Sequence, residues 1–221
     1  MDFDARVIGM PDYVKLVKDG LGKDEAQFAA DKFTAARQKL LAKKPEFKNI
    51  LDDLYRRKGP MVSHVHCERH AFLKPLQDWA THRDGTTPEL VLKDNAWTGF
   101  LHLAILGFND ALILPFDFPV PYEVKMEERS FVFPVCSGTK ILAELELANK
   151  TLKVEKAFRF PSIPDFFRAQ RKEMSRLEQQ EGLDSAFWVK FGLVVLRHLV
   201  KKSVTFKLPI IFAEKAAEPV A

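Results

Sequence analysis

Three histidines and a cysteine fall close together in Ser63-His64-Val65-His66-Cys67-Glu68-Arg69-His70. Neutral imidazole and thiolate are zinc ligands, and four such groups fill a tetrahedral site. His64, His66, Cys67 and His70 are therefore the candidate metal ligands, with zinc as the metal and a metal-dependent hydrolase as the enzyme reading. On a strand, His64 and His66 would point the same way. On a helix, His66 and His70 would lie one turn apart, with Cys67 also beside His70. No single regular conformation aims all four at one point, and the spacing matches neither a zinc finger nor H-E-x-x-H. Arg56, Arg57, Lys58 and Arg69 add positive charge nearby, which opposes a cation.

The other chemistry-bearing residues are more scattered. A nucleophilic cysteine needs a cationic neighbour or a helix N-terminus to lower its pKa, and only Cys67, among its histidines, has such neighbours in sequence. Cys136 precedes Ser137-Gly138-Thr139-Lys140, which reads as a turn between strands and has no upstream glycine at P-loop spacing. His102 and His198 sit in apolar surroundings and read as hydrogen-bonded core histidines. Lys156 shares the parity of Leu152, Val154, Phe158 and Phe160, so it either lines a cavity or reaches outward at a rim. Nucleophile elbow, dinucleotide fingerprint, EF-hand and paired-carboxylate patterns are all missing.

The aromatic content is lopsided, with 19 Phe against 3 Tyr and 3 Trp. Phe lacks a polar tip, so most of these rings belong in a core. Phe100, Phe108, Phe116 and Phe118 are the exception to watch. Pro115, Pro119 and Pro121 limit strand pairing there, which would leave an apolar rim open to a partner or ligand. Phe108, Phe116, Phe118, Tyr122 and Lys156 form the candidate binding set.

The elements that must position these groups change period along the chain. Pro11 to Lys18 reads as a short helix. Asp24 and Gln27 form a capping-box pattern ahead of Ala29, Phe33, Ala36 and Leu40 at helical spacing, and Pro45 stops that run. Glu46 to Lys58 is a further helix with Phe47, Ile50, Leu51 and Leu54 on one face. From there the period drops to 2. Val120 to Met126 alternates, Phe131 to Cys136 is apolar on both sides, and Ile141 to Phe160 reads as a hairpin about Asn149-Lys150. Thr98–Leu106 and Ala111–Phe118 read as another hairpin, with a buried helix as the alternative for the first arm. Helices return over 163–182 and from Asp184 onward. Ser203–Phe212 reads as a last strand, confined to an edge by Pro209.

The expected fold is thus α+β: a mainly antiparallel central sheet (about 98–160 plus an edge strand 203–212), flanked by N-terminal helices and a helix pair at 163–201. Residues 1–212 would form a single domain, and 213–221 a flexible tail. The 221 residues are 47% hydrophobic and 29% charged, which excludes a disordered or collagenous chain. The net charge is +4, distributed as +3 over 1–60, −4 over 61–150 and +5 over 151–221. Basic flanks around an acidic middle suit packing within one molecule better than phosphate binding, so nucleic acid is an unlikely partner. The basic run Arg168, Arg171, Lys172 and Arg176 is diluted by Glu173, Glu178 and Glu181. Met1 to Arg6 has no apolar signal core, and Trp97 to Val120 is interrupted by His102, Asn109, Asp110 and Asp117, so neither a signal peptide nor a membrane span is expected. Two cysteines 69 positions apart suit a reducing, cytoplasmic setting. Together these features favour a non-enzymatic, immunity-like accessory protein that works by binding a protein partner or a second copy of itself.

Overall fold

The computed structural model describes residues 3–67, 73–106, 110–126, 131–154 and 185–213; at 3, 66, 67 and 185–187 the backbone alone is described. The fold is α+β. Its strands are β1 (Phe3–Val7), β2 (Ser63–Cys67), β3 (Ala111–Leu114), β4 (Tyr122–Met126), β5 (Phe131–Ser137) and β6 (Ile210–Ala213). They form one six-stranded sheet in the order β2-β1-β6-β3-β5-β4. Every neighbouring pair is antiparallel except β3 with β5.

Alternation along the strands divides the side chains between two cores. Ala5, Val7, Val65, Ala111, Ile113, Cys136, Ile210 and Phe212 face one side. There they are covered by α4 (Leu73–Arg83), α6 (Leu101–Ile105), α7 (Gly138–Leu152) and α8 (Ser185–Phe206). Leu112, Leu114, Val124, Phe133, Val135 and Ile211 face the other side, under α1 (Met10–Leu21), α2 (Lys23–Lys43) and α3 (Lys48–Arg56). Each helix presents a stripe. On α2, Ala26, Ala29, Lys32, Phe33, Ala36 and Leu40 are buried at spacings of three and four.

Lys32 breaks the apolar rule on that stripe. It is 8% exposed, its Nζ lies 2.9 Å from Asp110, and the rings of Phe28, Phe131 and Phe133 lie 5.3–5.8 Å away. A carboxylate and three ring faces together replace the water that a buried ammonium loses. Lys32→Ala is expected to destabilise by about 3 kcal/mol, because Asp110 loses its counter-charge. Lys32→Ala/Asp110→Ala should cost clearly less than the sum of the two single changes, read from urea midpoints.

Several elements differ from the sequence expectation. The segment read as a hairpin about Asn149-Lys150 is helical through Leu152. Ser137 caps α7 by accepting the Lys140 amide at 3.2 Å, Ile141, Glu144, Leu145 and Ala148 form its buried stripe, and Lys153 closes it in the left-handed region at φ 51°. Ala, Leu and Glu are strong helix formers, and their preference outweighs an alternation that happens to coexist with it. Thr98–Leu106 is not a strand arm; it contains the short helix α6. β3 pairs with β5 and β6 instead. The last strand is interior rather than an edge. α8 continues through Phe206, Pro209 precedes β6, and Ile210–Ala213 lies between β1 and β3, buried on both faces. Gly22, not Asp24, is the N-cap of α2, so no capping box forms. Ile50 is 48% exposed instead of facing the core. β1 has no counterpart in the sequence expectation, and β2 settles as a strand a segment for which strand and helix were both open. The helix expected over 163–182 lies outside the described residues.

Candidate functional site

Two polar constellations stand out, one at each end of the sheet. The first surrounds α6, a helix too short to persist alone. Side chains from neighbouring elements hold both its ends. Glu144 of α7 accepts the His102 amide at 2.9 Å and the Leu103 amide at 2.7 Å. Gln77 of α4 donates to the Leu103 carbonyl at 2.8 Å and to the Leu106 carbonyl. The approach to α6 is fixed by Asp84, which accepts from the Thr98 hydroxyl at 2.9 Å and the Gly99 amide at 2.7 Å. These bonds satisfy the amides and carbonyls that a helix terminus leaves over.

His102 carries that arrangement into the sheet. Its Nδ1 accepts the Ser137 amide at 3.1 Å, so Nε2 bears the proton and donates to the Pro119 carbonyl at 3.4 Å. Burial lowers the His102 pKa to about 4, assisted by the Lys140 charge and opposed by the Pro119 bond and Asp117. Glu144 moves the other way. Burial raises it to about 7 against the pull of its two amide bonds and Lys140. Cys136 is fully buried, donates its thiol to the His102 carbonyl at 3.6 Å, and is held well above the ordinary thiol pKa by burial and by Glu144. Each of these groups braces backbone. Gly138 allows the close approach that this needs, because a Cβ there would meet the Leu114 carbonyl at 3.0 Å.

The candidate binding aromatics gather at this same end of the sheet. Phe116 meets Phe118 at 5.7 Å and Phe47 at 5.4 Å, and Phe118 stacks on Tyr122 at 5.8 Å. Phe118 is 1% exposed and serves as a floor under its neighbours; the exposed apolar residue of the proline-rich stretch is Val120. Phe108 and Lys156 lie outside the described residues. Ahead of α6, the chain between α5 (Pro88–Asp94) and Thr98 presents Trp97, which is 78% exposed, close in sequence to Leu90 and Leu92, at 44% and 45%. Thr87 caps α5 through the Leu90 amide at 3.3 Å, and Asn95 ends it in the left-handed region. Trp97 is thus carried on a corner pinned on both sides. Its signal in the sequence is an indole between Asn95 and Gly99 with no apolar periodicity around it.

The second constellation lies on β1 and β2. Asp4 and Arg6 alternate with Ala5 and Val7 and so face the α1–α3 side, each 2% exposed. The Arg6 Nε lies 2.7 Å from Asp4. The other Asp4 carboxylate oxygen is hydrogen-bonded to His64 Nε2. The His64 side chain is about one third exposed. Tyr13 sits nearby, its hydroxyl pKa raised by burial and by Asp110 and Asp4 against the opposing Arg6. The β1–β2 register places Arg6 opposite His64 and Asp4 opposite His66. Of the four candidate metal ligands, His64 is the one whose side chain is described. His66 and Cys67 follow it along β2 as backbone positions, and His70 lies outside the described residues. The segment is a strand, one of the two conformations the spacing allowed. Asp4 and Arg6 had no recognisable signal in the sequence, since two charges alternating at a chain start read as solvated.

The structure defines an α+β protein whose mixed sheet is covered on both faces, with a braced short helix at one end and an Asp–Arg–His cluster at the other. Comparison of the chain with protein-family models, curated proteins and solved structures gives no match. Among the described residues, no helix is long and apolar enough to cross a membrane.

Proposed function

We propose that this is a non-enzymatic accessory protein that binds another protein through the Trp97 corner. The observation that carries this reading is the 78% exposure of Trp97 on a corner held by Thr87, Asn95 and Asp84. Trp188, by contrast, is 8% exposed and belongs to the core. An indole held out in water adds nothing to folding, yet supplies large contact area with little conformational entropy to lose on docking. Leu90 and Leu92 are exposed on the helix just ahead of Trp97, with Lys93 and Asp94 exposed beside them in sequence and carrying both signs of charge. The partner that fits is a protein with an apolar pocket bordered by mixed charge. His102, Cys136 and Glu144 support the non-enzymatic part of the reading, since each is committed to a backbone group.

The test uses a partner captured by the wild-type chain, identified and purified. Trp97→Ala should raise its Kd by about 30-fold, the effect of losing a hot-spot side chain, with the melting temperature unchanged. Light scattering at high concentration distinguishes a second copy of the chain as the partner. Equal Kd values for wild type and Trp97→Ala would discard the reading.

A further inference from the structure

We propose that the outer strand β4 pairs with the β4 of a second copy of this chain, antiparallel and centred on Val124, so that the two sheets continue as one. Among the described residues β4 ends the sheet, with β5 as its one neighbour. Pro134 of β5 stands opposite Glu123. Proline has no N–H, so these two residues form a non-hydrogen-bonded pair. The amide and carbonyl of Glu123, and those of Lys125 two residues on, therefore point away from β5. Backbone groups presented in this way are a template for a further strand.

The order of charges selects a second copy as that strand. Along Tyr122-Glu123-Val124-Lys125-Met126, Glu123 and Lys125 are exposed on one face, Val124 is buried on the other, and Tyr122 and Met126 are half-buried beside it. A two-fold axis at Val124 sets Glu123 opposite Lys125 of the second copy, and Lys125 opposite its Glu123. These residues exchange their outward N–H and C=O groups while their side chains meet as opposite charges. On the other face Tyr122 lies opposite Met126 of the second copy, which covers the half-buried edge of the core under α1–α3. Centring the pair on Glu123 or on Lys125 instead would set like charges face to face. A lysine on an outer strand ordinarily deters pairing; with a glutamate two positions before it, it fixes the register. A two-fold interface requires this self-complementarity. The opposite outer strand lacks it, because β2 centred on Val65 would set His64 against His66 of the second copy.

The experiment is sedimentation equilibrium of the full chain over a dilution series at low salt, where a monomer–dimer equilibrium is expected. Glu123→Lys and Lys125→Glu lie at exposed positions. Each should raise the dimer Kd about 30-fold, because both symmetry-related pairs turn from attraction to repulsion. Mixed in equal amounts, the two variants should associate with each other about as tightly as wild type does with itself, since each chain then offers the charge that the other lacks. Trp97→Ala should leave the dimer Kd unchanged, which separates this contact from the Trp97 corner. A wild-type chain that stays monomeric, a Kd unmoved by either charge reversal, a mixture that does not restore association, or an equal loss in Trp97→Ala would each overturn the pairing.

Discussion

Replacing Glu144 with glutamine will make the stability of the protein acid-sensitive. The reason lies in two groups on the same corner whose titrations oppose each other. His102 has a folded pKa of about 4 against an ordinary 6.5. Its contribution is complete above pH 6.5 and is lost as pH falls through 4. Glu144 has a folded pKa of about 7 against an ordinary 4.5. Its contribution is complete below pH 4.5 and is lost as pH rises through 7. Each amounts to about 3 kcal/mol over its window. Between pH 4.5 and 6.5 the two slopes cancel, so the wild-type corner is indifferent to pH. Glu144→Gln keeps the size of the side chain and removes one slope. Its deficit relative to wild type should widen by about 3 kcal/mol between pH 7.5 and pH 4.5. His102→Asn should show the reverse, with its largest deficit near neutrality. Urea midpoints at four pH values measure both, and a deficit that stays constant across the range would contradict the account.

The second large effect is expected at Asp4. Asp4→Ala removes the carboxylate that lies 2.7 Å from the Arg6 Nε and is bonded to His64. With both Asp4 and Arg6 2% exposed, the guanidinium keeps its desolvation penalty while losing the Asp4 counter-charge. A loss of about 3–5 kcal/mol is expected, enough to bring a protein of ordinary stability close to unfolding at room temperature. Asp4→Ala/Arg6→Met should recover much of it, because the buried charge goes with its partner. Equilibrium denaturation of the two variants decides the matter. Near-equal losses for the single and double changes would show that the pair is not coupled.

How much of this was legible in the sequence depended on whether one period or two were present. The helices α1, α2 and α3 and the pair β4–β5 were readable because each carries a single repeat: Ala29, Phe33, Ala36 and Leu40 can only line a helix, and Glu123 and Lys125 alternate cleanly with Val124. Ile141 to Leu152 was misread because Leu145 and Leu147 satisfy a strand, while Ile141, Leu145 and Ala148 satisfy a helix. Helix preference in Ala, Leu and Glu decided it, and Ser137, read as part of a turn, supplies the N-cap. β6 was given the wrong place because Pro209 was taken as part of the strand, whereas it stands just ahead of it. At the candidate sites, His64 was singled out by residue type, but its partner Asp4 is 60 positions away and meets it only through the β1–β2 register. His102 was expected to be a hydrogen-bonded core histidine, and the Ser137 and Pro119 bonds make it one. Glu144, placed on a strand, could not be seen as the cap of a helix.

The position of β6 has a consequence for how the chain reaches its fold. In the sheet, β6 is the link between the β2–β1 pair and the β3–β5–β4 group; among the described residues no other hydrogen-bonded strand joins them. Its residues come some 200 positions after β1. During synthesis, both halves can form while residues 210–213 are still inside the ribosome, each with an open edge, at β1 and at β3. Such distant pairing is slow, and an unfilled edge invites association with other chains. Yield in the cell should therefore depend on how long that gap stays open, and on whatever shields it until the closing strand emerges.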